Sequence, residues 1–493
     1  MEATSGLQEQ LTSLQASVYR LWPEWMLIGG VVVLLVMSLV QKKRGRAPYL
    51  FALLVLIADG TLIVLYWPSN ATLLMAGALR LDDFSSYFKV LMALGGLLTL
   101  LIDRNRQREP EYYLLMLAAI VGANFLLMSM NFAMVLLSME LISIPSYVLA
   151  TGLAPQRQRA EAAWKYFLFG SAATAIMVFG MSYLYGISGT TYFASPVFAK
   201  NLMEQPSLLL WAAGVLALSG FLFKLAAVPF HWWAPDVYQA APTPVVAFLS
   251  VVPKLAGMGI LAKFLLSLAL SGHTYIDWAW LTGLIALLSI LVGNLAALSQ
   301  THAKRMMAYS SIAQSGFLLI ALATLSLEGM RIGLFYAGVF VLMNFLVFLG
   351  IRLLEDTRGT DDMREFAGSG SGLLVPSLSL LMGLVALVGL PPTGGFMAKL
   401  LLFVGLWEKF KETDQLFYLL LFVVGLLATV TSLFFYLKIP YYQFIKRAHG
   451  PVAAQKNDPW ANLLSAVLVV LLLYLFFQPA VLMGWANKVN FVL

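Results

Sequence analysis

The sequence consists of long apolar segments separated by short polar ones. A membrane-spanning helix needs about 20 mainly apolar residues, and fourteen segments approach or exceed that length. Because these runs are continuous and do not alternate over short stretches, they predict helices and not the strands of a porin-type barrel. The predicted spans are 25–40, 49–67, 82–102, 111–130, 132–153, 161–186, 207–240, 244–270, 277–299, 306–325, 329–354, 372–406, 415–438 and 460–484.

Two of these spans are too long for one straight helix. Residues 207–240 would extend about 50 Å at 1.5 Å per residue, against a hydrocarbon core of about 30 Å. This span contains Pro229 and Pro235, and residues 372–406 contain the sequence GLPPTGG. Proline breaks a helix, and a membrane tolerates the freed backbone groups only where they face protein or water. We therefore predict two broken helices, with Lys224 inside the first and Lys399 just beyond the second break.

Broken spans at corresponding positions of two halves are typical of a transporter repeat. We predict an all-α polytopic membrane protein of about 14 transmembrane helices, with two inverted five-helix repeats and two broken helices. An odd number of spans per repeat inverts the second copy. The predicted divisions are 1–110 (helices 1–3), 111–270 (first repeat, helices 4–8), 271–440 (second repeat, helices 9–13) and 441–493 (helix 14).

The basic residues are distributed unevenly between the two sides of the membrane. Eighteen of the 31 lysines and arginines fall in loops on one side, seven on the other and six within spans. The positive-inside rule makes the first side cytoplasmic, so both termini are expected to face away from the cytoplasm. Because the net charge of +7 reflects these loops, no nucleic-acid partner is expected.

Composition argues against a redox centre in this chain. The 493 residues include no cysteine and only four widely separated histidines. The absence of cysteine excludes disulfides, cysteine-ligated iron–sulfur clusters and haem attachment through CxxCH. We expect no cofactor and no metal here. The polar first 24 residues are not typical of a cleavable signal.

Four ionisable residues lie deep inside predicted spans. A charge in hydrocarbon costs several kcal/mol, so such residues are functional candidates by default. Glu140 is predicted to face Lys224, and a carboxylate beside a lysine makes the lysine's charge switchable. Lys254 has no acid near it in sequence, which suits a group that takes and gives a proton. We predict a proton relay through Glu140, Lys224, Lys254 and Lys399.

Other ionisable residues leave alternatives open. His231 could bridge Lys224 and Lys254 through water, or it could cap or pack. Lys263 is either a relay exit or a lysine that snorkels to the surface. Lys165 either hydrates the site or is structural. Four residues in or beside spans 2 and 3 favour contact with a neighbouring chain or snorkelling: Asp59, Asp82, Asp83 and Lys89.

Four long motifs carry a family resemblance: SMELISIPSYVL (138–149), FKLAAVPFHWWAPDVYQAAPTPVVAFLSVVPK (223–254), AKRMMAYSSIAQSGF (303–317) and GLPPTGGFMAKLLLF (389–403). They resemble the antiporter-like membrane subunits of respiratory complex I, NADH:quinone oxidoreductase, and the resemblance covers nearly the whole chain. Within that family the chain is most similar to the subunit N branch. It ends after fourteen spans without a long lateral helix, and its twelfth span carries Lys399.

The resemblance implies fourteen helices and a proton route through the same four residues, with His231 and Lys263 on the hydrophilic axis. It implies a non-redox, proton-translocating subunit, with NAD, FMN, iron–sulfur clusters and quinone in partner subunits. The expected partners are other membrane-arm subunits, both a paralogous antiporter-like subunit and small ones, and the lipid bilayer. The implied location is the bacterial inner membrane, with a thylakoid-type membrane as the alternative. Two other functions stay open: an Mrp-type cation/proton antiporter subunit and a membrane-arm scaffold.

Overall fold

The computed structural model describes residues 14–15, 17–40, 45–106, 108–152, 157–203, 207–269, 277–447 and 458–489. Segments 41–44 and 448–457, which carry four basic residues of the predicted cytoplasmic side, lie outside this part, as do His273 and His449. We number the helices along the chain as α1 (Trp22–Val40), α2 (Arg46–Leu65), α3 (Asp83–Ile102), α4 (Pro110–Met128), α5 (Phe132–Thr151), α6 (Arg157–Ser188), α7 (Pro196–Met203), α8 (Ser207–Leu225), α9 (Ala234–Ala240), α10 (Thr243–Ala269), α11 (Trp278–Leu298), α12 (Ala303–Ala323), α13 (Leu327–Arg358), α14 (Leu374–Val388), α15 (Gly394–Thr413), α16 (Leu416–Tyr436), α17 (Pro459–Phe477) and α18 (Pro479–Lys488).

Shorter elements complete the described chain. An antiparallel pair, β1 (Thr72–Leu74) and β2 (Leu79–Leu81), connects α2 to α3. Helical turns at Met363–Phe366 and Ser369–Gly372 lead from α13 to α14, and turns at Lys438–Pro440 and Tyr441–Ile445 extend α16.

Thirteen helices in the described ranges are long and apolar enough to cross a membrane. α14 is apolar but only 15 residues long, and α15, which follows the second break, carries Lys399. α14 and the start of α15 lie within the predicted span 372–406. The predicted all-α polytopic membrane fold is confirmed. The division into two inverted repeats stays a prediction.

Both predicted helix breaks are present, and the chain satisfies its backbone groups at each. α8 ends at Leu225 and α9 begins at Ala234, with the Val228 amide donating to Ser289 Oγ of α11 at 3.0 Å. α14 ends at Val388, and Gly389, with φ of +87°, caps it in the left-handed region. Such glycine caps satisfy the last carbonyls of a helix. The backbone groups named here are therefore bonded within the protein, as a membrane requires.

The structure locates two helix boundaries more closely than the sequence does. Asn131 separates α4 from α5, because its side chain accepts a hydrogen bond from the Met134 amide at 2.8 Å and so starts α5. The predicted last span, 460–484, is divided between α17 and α18, and Pro479 is the first residue of α18. Proline has no amide hydrogen to continue the preceding helix and is favoured at a helix start.

α10 and α13 form the centre of the bundle. The part of each that is apolar enough to cross a membrane is wholly buried, and that part of α12 is nearly so. By contrast, only about a third of the corresponding part of α1 and of α2 is buried. Ionisable residues on α10 are therefore surrounded by protein and not by lipid.

Candidate functional site

Lys224 occupies the last turn of α8, directly before the first break. Its side chain is buried, and Nζ donates to Ser143 Oγ of α5 at 2.6 Å. α10 approaches closely here because Gly257 has no side chain: a Cβ at that position would lie 2.9 Å from Lys224 Cβ. A buried ammonium group is thus held by a neutral hydroxyl.

Glu140 lies one helical turn before Ser143 on α5 and is half-buried. Thr174 Oγ1 of α6 donates to its Oε1 at 3.1 Å. The carboxylate is near enough to Lys224 to act on it electrostatically. Among the described residues the two groups form no direct ion pair, so Glu140 acts on Lys224 through its charge and not through a contact.

Lys254 is held entirely by neutral groups of α12. Its Nζ donates to the Ser311 carbonyl at 2.8 Å and to the hydroxyls of Ser311 and Ser315, both at 2.7 Å. These bonds use all three donors of an ammonium group. Among the described residues, no acidic side chain forms an ion pair with Lys254, and its role in the relay stays a prediction.

Ser315 links the surroundings of the first two lysines. Its Oγ contacts Lys254 and donates to the carbonyl of Leu225, the neighbour of Lys224, at 2.5 Å. Tyr238 of α9 extends the polar group, since its hydroxyl lies 3.3 Å from Ser311 Oγ. The end of α8, the middle of α10 and α12 therefore share one hydrogen-bonded cluster.

Gln314, beside Ser315, carries the polar contacts on to the second break. Its Oε1 accepts from the Tyr336 hydroxyl at 2.5 Å, and its Nε2 donates to the Leu387 carbonyl at 3.1 Å. The next carbonyl, that of Val388, accepts from Lys399 Nζ at 2.8 Å. The three predicted relay lysines thus lie along one line of buried polar groups across the bundle. Half-buried Glu140 lies beside the start of this line, within electrostatic range of Lys224.

Lys399 lies near the start of α15 and is buried. Its Nζ is 4.4 Å from the ring centroid of Phe317, a distance at which the ring face attracts a cation. Among the described residues no acidic group pairs with it. Its charge is therefore stabilised only by a carbonyl and an aromatic ring.

The polar face of α12 was missed in the sequence. The polar residues of α12 are spaced so that they share one side of the helix. In the sequence, this span stood out only as apolar and as part of a motif. The missed residues on other helices are single polar residues, and no helical spacing marks them in the sequence. The missed residues that contact the line are Ser143, Thr174, Tyr238, Ser310, Ser311, Gln314, Ser315, Tyr336 and Tyr436.

His231 lies in the first break and is buried. Its ring lies against that of Trp232, with centroids 4.7 Å apart and ring planes tilted by 30°, and it hydrogen-bonds the backbone of Pro229. Among the described residues it contacts neither Lys224 nor Lys254 directly. The bridging role stays a prediction.

Lys263 does not snorkel. It is 6% exposed, pairs with Asp82 at 3.2 Å and donates to the Leu127 carbonyl at 2.8 Å. The expectation for Asp82 was wrong, because this buried residue caps α3 and binds Lys263. The expectation for Lys89 was wrong for the same reason: it is buried and pairs with Glu24 at 2.5 Å.

Asp236 on α9 anchors the first break to two neighbouring helices. It lies 2.9 Å from Lys165 of α6 and 2.7 Å from Arg305 of α12. Lys165 therefore has a structural ion pair at the rim of a cavity of about 270 Å³. The cavity is lined by Gln158, Glu161, Ala162, Lys165, Asp236, Gln239 and Ala240.

The described residues contain no cluster of three histidine, aspartate or glutamate side chains able to hold a metal ion. A buried lysine that gives up its proton becomes a neutral amine that can take one back, so each of these lysines is a group that can release and rebind a proton.

Named proteins are similar to the chain over most of its length. It is 33% identical to NADH-quinone oxidoreductase subunit N 2 of Chloroherpeton thalassium, covering 96% of this chain and 95% of that protein. It is 34% identical to subunit N of Chlorobium chlorochromatii, covering 97% and 96%. It is 36% identical to the chloroplastic NAD(P)H-quinone oxidoreductase subunit 2 of Mesostigma viride, covering 88% and 86%.

Solved structures share the fold. A chain of respiratory complex I from Thermus thermophilus matches with a TM-score of 0.79 and 29% identity, over 94% of this chain and 98% of that one. A chain of the Mrp complex from Dietzia matches with a TM-score of 0.83 and 18% identity, over 95% and 96%, and this likeness concerns the fold alone.

The family profile described as NADH:quinone oxidoreductase/Mrp antiporter, TM, matches residues 129–434. This range contains every residue from Glu140 to Lys399 on the buried polar line. The chain therefore belongs to the NADH:quinone oxidoreductase/Mrp antiporter transmembrane family.

Proposed function

We propose that the chain is the proton-translocating, non-redox membrane-arm subunit of a NADH:quinone oxidoreductase, and that Glu140, Lys224, Lys254 and Lys399 carry the protons. The observation that carries this proposal is the line of buried lysines joined by hydroxyl, amide and carbonyl groups between the two helix breaks. Relatives named subunit N over their full length support the choice of complex.

The change in charge that drives the line acts first at Glu140. The face of α5 that carries it also exposes four apolar residues at helical spacing, Leu137, Leu141, Ile144 and Val148. A carboxylate facing hydrocarbon is costly, so a neighbouring membrane-arm subunit covers this face. Its charge state then changes the field at Glu140 and, through it, the proton affinity of Lys224.

Transfer inward requires that Lys254 has first passed its own proton on toward Lys399, since its ammonium group already uses three donors. An N–H bond of the Lys224 ammonium group then breaks and one forms on the neutral Lys254 amine. The Ser315 hydroxyl lies against Lys254 and can relay a proton. The Leu225 carbonyl only accepts a hydrogen bond. The step from Lys224 to Ser315 therefore goes through water or a swing of the lysine side chain.

Release occurs at Lys399, beyond the second break. Electron transfer takes place elsewhere, because this chain has no cysteine for an iron–sulfur cluster. NAD, FMN, iron–sulfur clusters and quinone belong to partner subunits. The expected location is the bacterial inner membrane, with a thylakoid-type membrane as the alternative.

The test uses the assembled complex in proteoliposomes. Lys224→Ala and Glu140→Gln should each lower the number of protons pumped per electron, while quinone reduction continues. Lys411→Ala, which removes a lysine that lies against Trp407 away from the line, is the matched control. An unchanged proton yield in both variants would remove these residues from the mechanism. A normal yield with all four residues neutralised would instead support the scaffold function.

A second candidate, a subunit of an Mrp-type cation/proton antiporter, is favoured by the family description and by the fold of the Dietzia complex. Vesicles that contain the chain but no dehydrogenase subunits distinguish the two. Sodium-dependent proton movement in such vesicles would favour the antiporter, whereas transport that requires quinone reduction favours the complex.

A further inference from the structure

A second group of ionisable residues lies outside the buried polar line, in the first three helices. Glu24 of α1, Asp59 of α2 and Lys89 of α3 are each at most 1% exposed. Lys89 Nζ lies 2.5 Å from Glu24 Oε1. All three residues precede the segment matched by the family profile, 129–434. We call these three residues the N-terminal cluster.

The carboxylate of Asp59 has no hydrogen-bond partner in the part of the chain that the structure describes. It is fully buried, and neither oxygen accepts a hydrogen bond from any described residue. The neighbouring Gly60 packs close to α3, since a Cβ there would lie 3.6 Å from Ala93, one turn beyond Lys89. Asp59 interacts electrostatically with both Glu24 and Lys89. Because both of its carboxylate oxygens are buried, Asp59 faces protein and not lipid.

The charges of the N-terminal cluster do not balance. Two carboxylates face one ammonium group, which leaves one buried negative charge uncompensated. An unpaired buried charge costs several kcal/mol, so the group binds a counter-charge or becomes neutral. Other titratable groups on the neighbouring helices are occupied or distant: Asp83 accepts from Trp67 Nε1 at 2.8 Å, and Tyr112 and Tyr113 lie at the opposite end of α4.

A proton fits this site better than a metal ion. Hard cations take six or more oxygen ligands, and the described residues here offer two carboxylates beside a lysine that repels a cation. A proton needs a single oxygen and no hydration shell. The ligand that this chemistry recognises is therefore a proton on Asp59.

A second cluster adjoins the first and has the opposite imbalance. Arg80 and Lys263 share one carboxylate, that of Asp82, at 3.5 and 3.2 Å. The two lysines reach consecutive residues at the end of α4: Lys263 Nζ donates to the Leu127 carbonyl, and Lys89 Nζ lies 4.0 Å from Met128 Sδ. Together the six groups carry three charges of each sign.

We propose that Glu24, Asp59 and Lys89 form a proton-binding site, with Asp59 as the acceptor, which exchanges its proton with Lys263. In this exchange an N–H bond of the Lys263 ammonium breaks and an O–H bond on Asp59 forms, with no change in the summed charge of the six groups. Asp59 and Lys89 each lie six residues, about 9 Å, from the helix ends opposite the arginine-rich loops. The site thus offers an outlet toward that side. The direction of transport rests on the proposed function; the binding of the proton does not.

Infrared difference spectra of the purified complex test the binding itself. Wild-type protein should show the carbonyl stretch of a buried protonated carboxylic acid, lost in Asp59→Asn and shifted in Lys89→Gln. Glu412→Gln, at an exposed pair with Lys409, is the control and should leave the band unchanged. Absence of the band in wild-type protein overturns the site even if the variants fail to assemble.

Proton yield tests the exchange with Lys263. In proteoliposomes, Asp59→Asn should lower protons per electron by the same fraction as Lys224→Ala, with quinone reduction retained. A wild-type yield in Asp59→Asn, with Lys224→Ala still defective, overturns the outlet but leaves the proposed function intact. A wild-type yield in Lys224→Ala overturns the proposed function, and the infrared band then decides the site by itself.

Discussion

The two broken helices share a topology but differ in the chemistry of their lysines. Lys224 precedes its break, is held by a hydroxyl and lies within electrostatic range of Glu140. Lys399 follows its break, is held by a carbonyl of the opposite half-helix and has no acidic partner among the described residues. In the proposed relay, the first site is switched by an outside charge, whereas the second responds to protons that arrive along the line. The proposal thus gives two similar breaks different roles, one as an input and one as a terminus.

The backbone at the two breaks differs as well. The first break turns at Ala226, a residue other than glycine with φ of +52°, whereas the second turns at Gly389 with φ of +87°. α9 of the first break is anchored by Asp236 to two other helices. The first break is held by its neighbours, and the second by its own glycine.

The largest effect is expected where the two sites meet, at Lys254. Lys254→Met removes the ammonium group between them, so the contribution of this subunit to pumping should be lost while quinone reduction continues. Proton yield per electron in proteoliposomes measures this. Lys254→Arg keeps a charge that does not deprotonate in proteins and should be as defective. Pumping by the arginine variant would mean that charge alone, and not proton exchange, is required at this position.

A substitution pair tests whether the two turns are held differently. Gly389→Ala forces an L residue into the left-handed region, at a cost of about 1–2 kcal/mol, and places a Cβ 2.7 Å from Lys399 Cδ. Ala226→Gly relieves the same kind of strain at the first break, offset by about 0.5–1 kcal/mol of chain entropy. We expect the thermal unfolding temperature of the complex to fall for Gly389→Ala and to stay level or rise for Ala226→Gly. Equal losses of stability in both variants would contradict the conclusion that the two turns are held differently.

Ser143→Ala sharpens the description of the input site. Lys224 loses its hydroxyl partner but keeps the field of Glu140. The loss of one hydrogen bond to a charged group is worth about 1.5–3 kcal/mol. The proton yield should therefore fall less than in Lys224→Ala, and its pH dependence should shift. Ser146→Ala, whose hydroxyl bonds its own helix at Ile142, is the matched control.

The smallest effect is expected at the anchor of α9. Asp236 is partly exposed, and such ion pairs contribute about 0–1 kcal/mol each. Asp236→Asn should slightly lower the unfolding temperature and leave proton yield per electron unchanged. A loss of pumping as large as that of Lys224→Ala would place Asp236 on the proton route and not at its support.

The lysines of the site could be predicted because a charge is conspicuous inside an apolar span. Lys224, Lys254 and Lys399 stand out in this way, and prolines or glycines beside two of them mark the breaks. The serines and the glutamine of α12 are mild polar residues that many apolar spans tolerate. Their role follows only from which helices surround α12, which the sequence pattern alone does not determine.

The ion pairs of α3 could not be predicted for a different reason. Lys89 pairs with Glu24, and Asp82 pairs with Lys263, far along the chain. Nothing local marks these partners, so the residues were assigned to neighbouring chains or to the membrane surface. Helix packing decides such pairs.

The neutral surroundings of Lys254 and Lys399 also have a consequence for ion selectivity. Sodium requires several oxygen ligands free of adjacent fixed cations, whereas the described part of the line offers ammonium groups with hydroxyl and carbonyl partners and no carboxylate at these two lysines. An ammonium group repels a metal cation, yet it can release a proton and rebind one as an amine. If the line carries protons as proposed, its middle and its end pass hydrogen ions and reject alkali metals.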